Sequence, residues 1–222
     1  MKKLIQGIID FRRNVRPGYR EVFAKLALGQ APDALLIACS DSRVVPNLFA
    51  SADPGDLFVI RNIGNLVPLA GDDGRSWNDS SEAAAIEFAL SKLQVTDIII
   101  CGHSECGAMQ ALLTGCDTVE PFHLRSWLRH GGEALEDFSR NQAPDTSLAP
   151  HNQLSQLNVL RQIGHLKSYP LVRERVEAEQ LRLHGWWFEL KNADVYAYED
   201  DVGRFVLIDD KEAGRLLKRL AS

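Results

Sequence analysis

No apolar run in this chain approaches the roughly 20 residues that a membrane-spanning helix requires; the longest are strand-length. Internal repeats and low-complexity tracts are also missing. There is no excess of positive charge: 25 basic and 30 acidic side chains leave a formal charge of −5, so a nucleic-acid partner is not expected. The N-terminal M-K-K-L-I-Q-G-I-I-D-F-R-R is broken by Gln6, Gly7 and Asp10, and no small-residue cleavage site follows, so it does not read as a signal peptide. The expected address is the cytoplasm, with no membrane partner. In a reducing compartment the four cysteines are a poor disulfide framework and a better fit to metal binding. With 222 residues, 45% hydrophobic and 25% charged, the chain reads as one globular domain, 1–222.

The stretch D-I-I-I-C-G-H-S-E-C-G, from Asp97 to Gly107, organises the rest. Its β-branched run reads as a strand buried on both faces, followed by a sharp turn carrying His103 and Cys106 and then a helix. Upstream, A-L-L-I-A-C-S-D-S-R gives a second apolar strand, from Ala34 to Ala38, ending in Cys39, Asp41 and Arg43. Chemistry in α/β folds gathers at the carboxyl ends of strands. Two thiolates and one imidazole suit Zn²⁺, and three protein ligands leave a fourth tetrahedral position free. A cysteine nucleophile paired with His103 is the alternative, but it leaves the second thiol and the D-x-R pair without a role. Asp41 could bind the metal or accept a hydrogen bond from metal-bound water, with Arg43 holding it ionised. Cys101 and Cys116 read as structural.

Along the chain, residues 1–29 read as two amphipathic helices with a break at Pro17, and their apolar stripes suit packing on a partner subunit. A strand over 56–62 is followed by an irregular loop over 64–82, and Ser80 or Ser81 caps the next helix. Helices broken at Gly131–Gly132, a long helix from His151 to Lys167 with leucines at i+3 spacing, a short helix from Pro170, three β-rich runs and a closing helix complete the chain. Alternating strands and helices predict an α/β fold, a mostly parallel central sheet flanked by helices.

C-S-D-S-R at 39–43 together with G-H-S-E-C-G at 102–107 resembles the β-class carbonic anhydrases. The likeness extends through P-G-D-L-F-V-I-R-N-I-G-N, A-A-I-E-F-A, S-W-L-R-H and L-H-G-W. It implies one zinc per chain held by Cys39, His103 and Cys106, and reversible hydration of CO₂ to bicarbonate and a proton. It further implies Gln30 as a donor to the substrate oxygen, and Phe58, Ile63 and Gly107 around a small pocket. A helical dimerisation arm over 1–30 and a homodimer or higher even homo-oligomer complete the implied picture. Relatives that let the equivalent of Asp41 onto the metal carry Trp three residues before the first Cys ligand; Leu36 stands there in this chain, which favours the open form. Phe88 stands where many relatives carry Tyr, and the loop D-D-G-R-S-W-N-D-S-S-E is longer than theirs. His123 and His130 are the candidates for a proton shuttle. Hydrolysis of CS₂ or COS on the same scaffold, or a non-catalytic zinc/thiolate regulatory role, stays open at this level.

Overall fold

The structure is a computed structural model describing residues 1–76 and 79–220. Its centre is one six-stranded sheet in the order β2-β1-β3-β4-β5-β6. The strands are β1 (Ala34–Cys39), β2 (Leu57–Asn62), β3 (Asp97–His103), β4 (Arg182–Glu189), β5 (Asp194–Glu199) and β6 (Arg204–Leu207). The first four pair in parallel, while β5 and β6 add an antiparallel edge. Every residue of β1 is buried, as expected of an inner parallel strand covered on both faces. The β4–β5 turn over K-N-A-D is a hairpin, which explains why the parallel order ends there.

Two helices precede the sheet, α1 (Lys2–Asp10) and α2 (Arg16–Leu26), joined by a π-helical stretch Phe11–Val15. The break expected at Pro17 does not occur. Pro17 lies in the first turn of α2, its fixed φ suits that position, and the π-helical stretch before it lets the chain stay helical. No residue of either helix is buried, and Leu4 and Ile8 are 63% and 67% exposed.

The short α3 (Pro46–Phe49) follows β1, and α4 (Ser80–Phe88) continues π-helically through Leu93. The capping expectation is corrected: Ser80 and Ser81 fall inside the first turn of α4, and Asp79 takes the cap position. Then come α5 (Gly107–Thr114), α6 (Phe122–Leu128), α7 (Gly132–Ser139), α8 (Pro150–Leu166), α9 (Pro170–Glu177) and α10 (Asp210–Leu220).

Helix α8 lies directly on β3 and β4. A Cβ on Gly102 would come within 2.6 Å of Val159, and one on Gly185 within 3.0 Å, so the helix rests against bare backbone. On this side α4, α8 and α9 bury Ile86, Val159 and Val172 against Leu35, Ile37, Ile98 and Ile100. A second apolar cluster, with Leu66, Met109, Leu112, Leu128 and Leu154, wraps Cys39 and Cys106. The sheet's other face buries Leu36, Ile99 and Phe188.

Candidate metal centre

Parallel pairing of β1 with β3 brings their carboxyl ends together, and Cys39 and His103 are the last residues of those strands. The turn through residues 104–105 folds the chain back so that Cys106 occupies the cap position of α5. The ligand atoms of Cys39, His103 and Cys106 lie within 4.8 Å of one another, and all three residues are buried. Among the described residues, no other group of His, Cys, Asp or Glu converges in this way.

Protonation follows from the hydrogen bonds. His103 Nδ1 lies 2.8 Å from the Ser104 carbonyl, which only accepts, so Nδ1 donates there and Nε2 is the ring atom left to face a metal. That Nε2 is buried without a hydrogen-bond partner. An orphaned polar atom in such a place costs about 1–3 kcal/mol, and a cation would remove the penalty. The Cys39 thiol is held well below the usual thiol range because Cys106 donates to it, with further help from the Gly64 amide against the cost of burial. The same bond, with burial, pushes the Cys106 thiol up. Two sulfurs, one of them readily ionised, and an imidazole whose Nε2 has no other partner form a donor set suited to zinc.

Beside this cluster, Asp41 accepts from Arg43 Nε at 2.9 Å on one oxygen and from Nη2 at 2.7 Å on the other. This bidentate donation holds the Asp41 carboxyl far below the ordinary carboxylate range. Arg43 Nη2 also donates to the Glu105 carbonyl at 3.1 Å, tying the two loops together. Ile63 follows Asn62, the register partner of Cys39, and Gly107 opens α5; both stand at the same end of the sheet.

Gln30 and Phe58 do not. Gln30 precedes β1 and lines a surface pocket with Phe23, Leu26 and Gly55. Phe58 pairs with Leu35, near the start of the strand, and packs beside Phe88 with ring centroids 5.8 Å apart. Strand rise alone puts that level about 13 Å from the cysteine end. A single chain therefore does not gather all the residues that the sequence assigned to one pocket.

His130 is engaged by Asp79, with Nε2 3.0 Å from the carboxylate, and its ring meets Trp127. His123 packs edge-on against Phe122, which is exposed. The long loop is anchored where Gly74, at φ +76°, presses against Pro170 and where Asp79 meets His130; Trp77 and Asn78 lie outside the described residues. Cys101 is fully buried, its thiol pushed up to about 12 by burial. Cys116 is partly exposed, and all four thiols are free.

Two features escaped the sequence reading. Arg61 donates to the carbonyls of Cys39, Asp41 and Val44 and so shapes the loop after β1. Helix α8 carries a buried polar face beside its leucines. Ser155 donates to the His103 carbonyl at 2.7 Å and accepts from Trp187, Asn158 donates to the Gly64 carbonyl, and Gln162 accepts from the Val67 amide. The recurrence of polar residues at 152, 155, 158, 162 and 165 is the signal that would have found it.

Comparison with known proteins agrees with this geometry. The carbonic anhydrase family model matches residues 34–195. A carbonic anhydrase of Pseudomonas aeruginosa is 37% identical over 206 residues, covering 93% of this chain and 91% of its own. One from Synechocystis is 37% identical over 211 residues, covering 93% and 74%. The solved β-carbonic anhydrase CcaA superposes with a TM-score of 0.84 at 36% identity, covering 93% of this chain and 98% of its own. A tetrameric β-carbonic anhydrase from Sordaria macrospora gives 0.67 at 30% identity, with 93% of each chain covered. The strand-end cluster, the sheet that carries it and these relatives lead to one conclusion: the chain belongs to the carbonic anhydrase family, and within it to the β class.

Proposed function

We propose that this chain, acting as one catalytic domain with an N-terminal arm, hydrates CO₂ reversibly to bicarbonate and a proton, with Cys39, His103 and Cys106 holding one zinc ion. The observation that carries the reading is the buried Nε2 of His103, without a hydrogen-bond partner, in a cluster whose ligand atoms lie within 4.8 Å of one another. Zinc, when bound, supplies the Lewis acidity that brings the pKa of water from about 15.7 towards 7, so that hydroxide is available at neutral pH.

The chain's own groups orient the reactants. Asp41 stays ionised because Arg43 donates to both of its oxygens; Oδ1 accepts from both the Arg43 amide and Nε, while Oδ2 accepts from Nη2 and keeps a lone pair to accept a hydrogen bond from the attacking water. That acceptor fixes where the water's remaining lone pair points, which is the task of a positioning base. The fork of Arg43 also keeps the carboxylate off the metal position, in keeping with the open form. Ile63 supplies an apolar wall suited to CO₂.

Gln30 and Phe58 enter from a second copy. Helices α1 and α2 bury none of their residues, and an apolar stripe this exposed finds its partner in another chain. An isologous dimer brings the arm of each subunit to the other, and two such dimers make the tetramer seen in the Sordaria relative. Reduced, unpaired thiols suit the cytoplasm, and the reaction class is that of a lyase.

Stopped-flow CO₂ hydration with zinc analysis tests the proposal. Parent protein should retain about one zinc per chain and hydrate CO₂, and Cys106→Ser should lose both. Equal rates in the two proteins would overturn it.

A further inference from the structure

The turn joining His103 to Cys106 passes through a residue in an uncommon backbone conformation, and that residue is tied at four points. Glu105 has φ +56°, which a glutamate adopts only when its surroundings impose it. Its amide N–H donates to Asn152 Oδ1 at 2.8 Å, and its carbonyl accepts from Arg43 at 3.1 Å. Its Oε1 accepts from Asn152 Nδ2 at 3.1 Å, and its Oε2 lies 2.9 Å from His151 Nε2. Asn152 is only 8% exposed, and both ends of its amide are spent on this one residue.

We propose that Asn152, acting through Glu105, is a positioning residue for the metal centre. Helix α8 grips the turn between two ligands and so sets the spacing of the His103 ring and the Cys106 sulfur. The role needs an acceptor for a main-chain N–H and a donor for a carboxylate, held in one plane, and an asparagine amide supplies both. Asp in its place keeps the acceptor but sets a carboxylate against Glu105, while Ala provides neither. This assignment rests on the zinc reading above.

The chemistry offers a polarity swap. Asn152→Asp alone breaks the side-chain bond, whereas Asn152→Asp combined with Glu105→Gln restores it with donor and acceptor exchanged. The amide introduced by Glu105→Gln can then donate to the new carboxylate and still accept from His151. The experiment loads parent and variants with zinc, confirms folding by circular dichroism, and follows zinc release to a chelator; cobalt-substituted samples report ligand geometry through their visible spectrum. Asn152→Ala and Asn152→Asp should release zinc about 10–100-fold faster than the parent and shift the cobalt bands. The double variant should return to within about threefold of the parent. Should Asn152→Ala fail to fold, the Asn152→Asp and double variants carry the comparison. Release as slow as the parent's from Asn152→Asp, or no recovery in the double variant, overturns this assignment alone. A parent that retains no zinc overturns the metal reading, and this assignment with it.

Discussion

At the residue scale, Asp41 is defined by what holds it. Its carboxylate is fixed by Arg43 and does not belong to the cysteine–histidine group, and on the proposed reading it orients rather than ligates. Asp41→Ala should therefore keep zinc and lose about 10–100-fold in kcat/KM; loss of metal on that change, read by elemental analysis, would make Asp41 a ligand instead. Cys39, His103, Cys106, Asp41 and Arg43 were all legible in the sequence because each stands within four residues of a strand end whose apolar run is unmistakable. Arg61 was not. It lies inside β2 and donates only to carbonyls, and nothing in its letter or spacing distinguishes it from a solvent-facing strand residue. Gln30 could be named by resemblance, but its distance from the metal-binding end depends on strand direction and length, which only the folded sheet supplies.

At the scale of elements, α8 is the part the leucine spacing half disclosed. The apolar stripe predicted the helix and its bounds to within a residue, yet hid the buried polar face that hydrogen-bonds to the turns at 64–67 and 103–105. The close approach depends on Gly102. Gly102→Ala would drive a methyl to 2.6 Å from Val159 and should destabilise the fold by about 1–3 kcal/mol, measured by urea unfolding. A cost no larger than that of an exposed substitution would mean that α8 yields more easily than its packing indicates. The starts of β3 and β4 are pinned by Asp97, which receives Arg182 through two bonds of 2.8 Å and His184 at 2.7 Å. Burial pushes the Asp97 carboxyl up, but donation from His184, Arg182 and Thr96 outweighs it and leaves the group below the ordinary carboxylate range. A carboxyl lowered in the folded state stabilises above the unfolded value, about 3.9, and that contribution fades as pH falls through the lower folded value. Asp97→Asn should cost about 1–3 kcal/mol at pH 7, with a smaller gap from the parent at pH 3. An unchanged gap at the two pH values would remove the ion pair from the account.

At the scale of the whole molecule, the parallel sheet and its flanking helices were legible from alternation alone, because buried strands and amphipathic helices have different periods. The helical continuity of the arm through Pro17 was not, since proline at a first helical turn and proline at a break look alike in sequence. Gln30 and the Cys39 cluster occupy opposite ends of β1. If, as proposed, Gln30 serves the site of the partner subunit, this separation has a genetic consequence. A chain carrying Cys106→Ser still offers an intact Gln30, and a chain carrying Gln30→Ala still offers an intact zinc cradle. Each parental protein would be impaired, yet subunit exchange between them would assemble hybrid pairs with one sound centre and one doubly damaged centre. Random mixing should recover about a quarter of the unmutated rate, an intragenic complementation that no pair of lesions within one self-sufficient active site could produce.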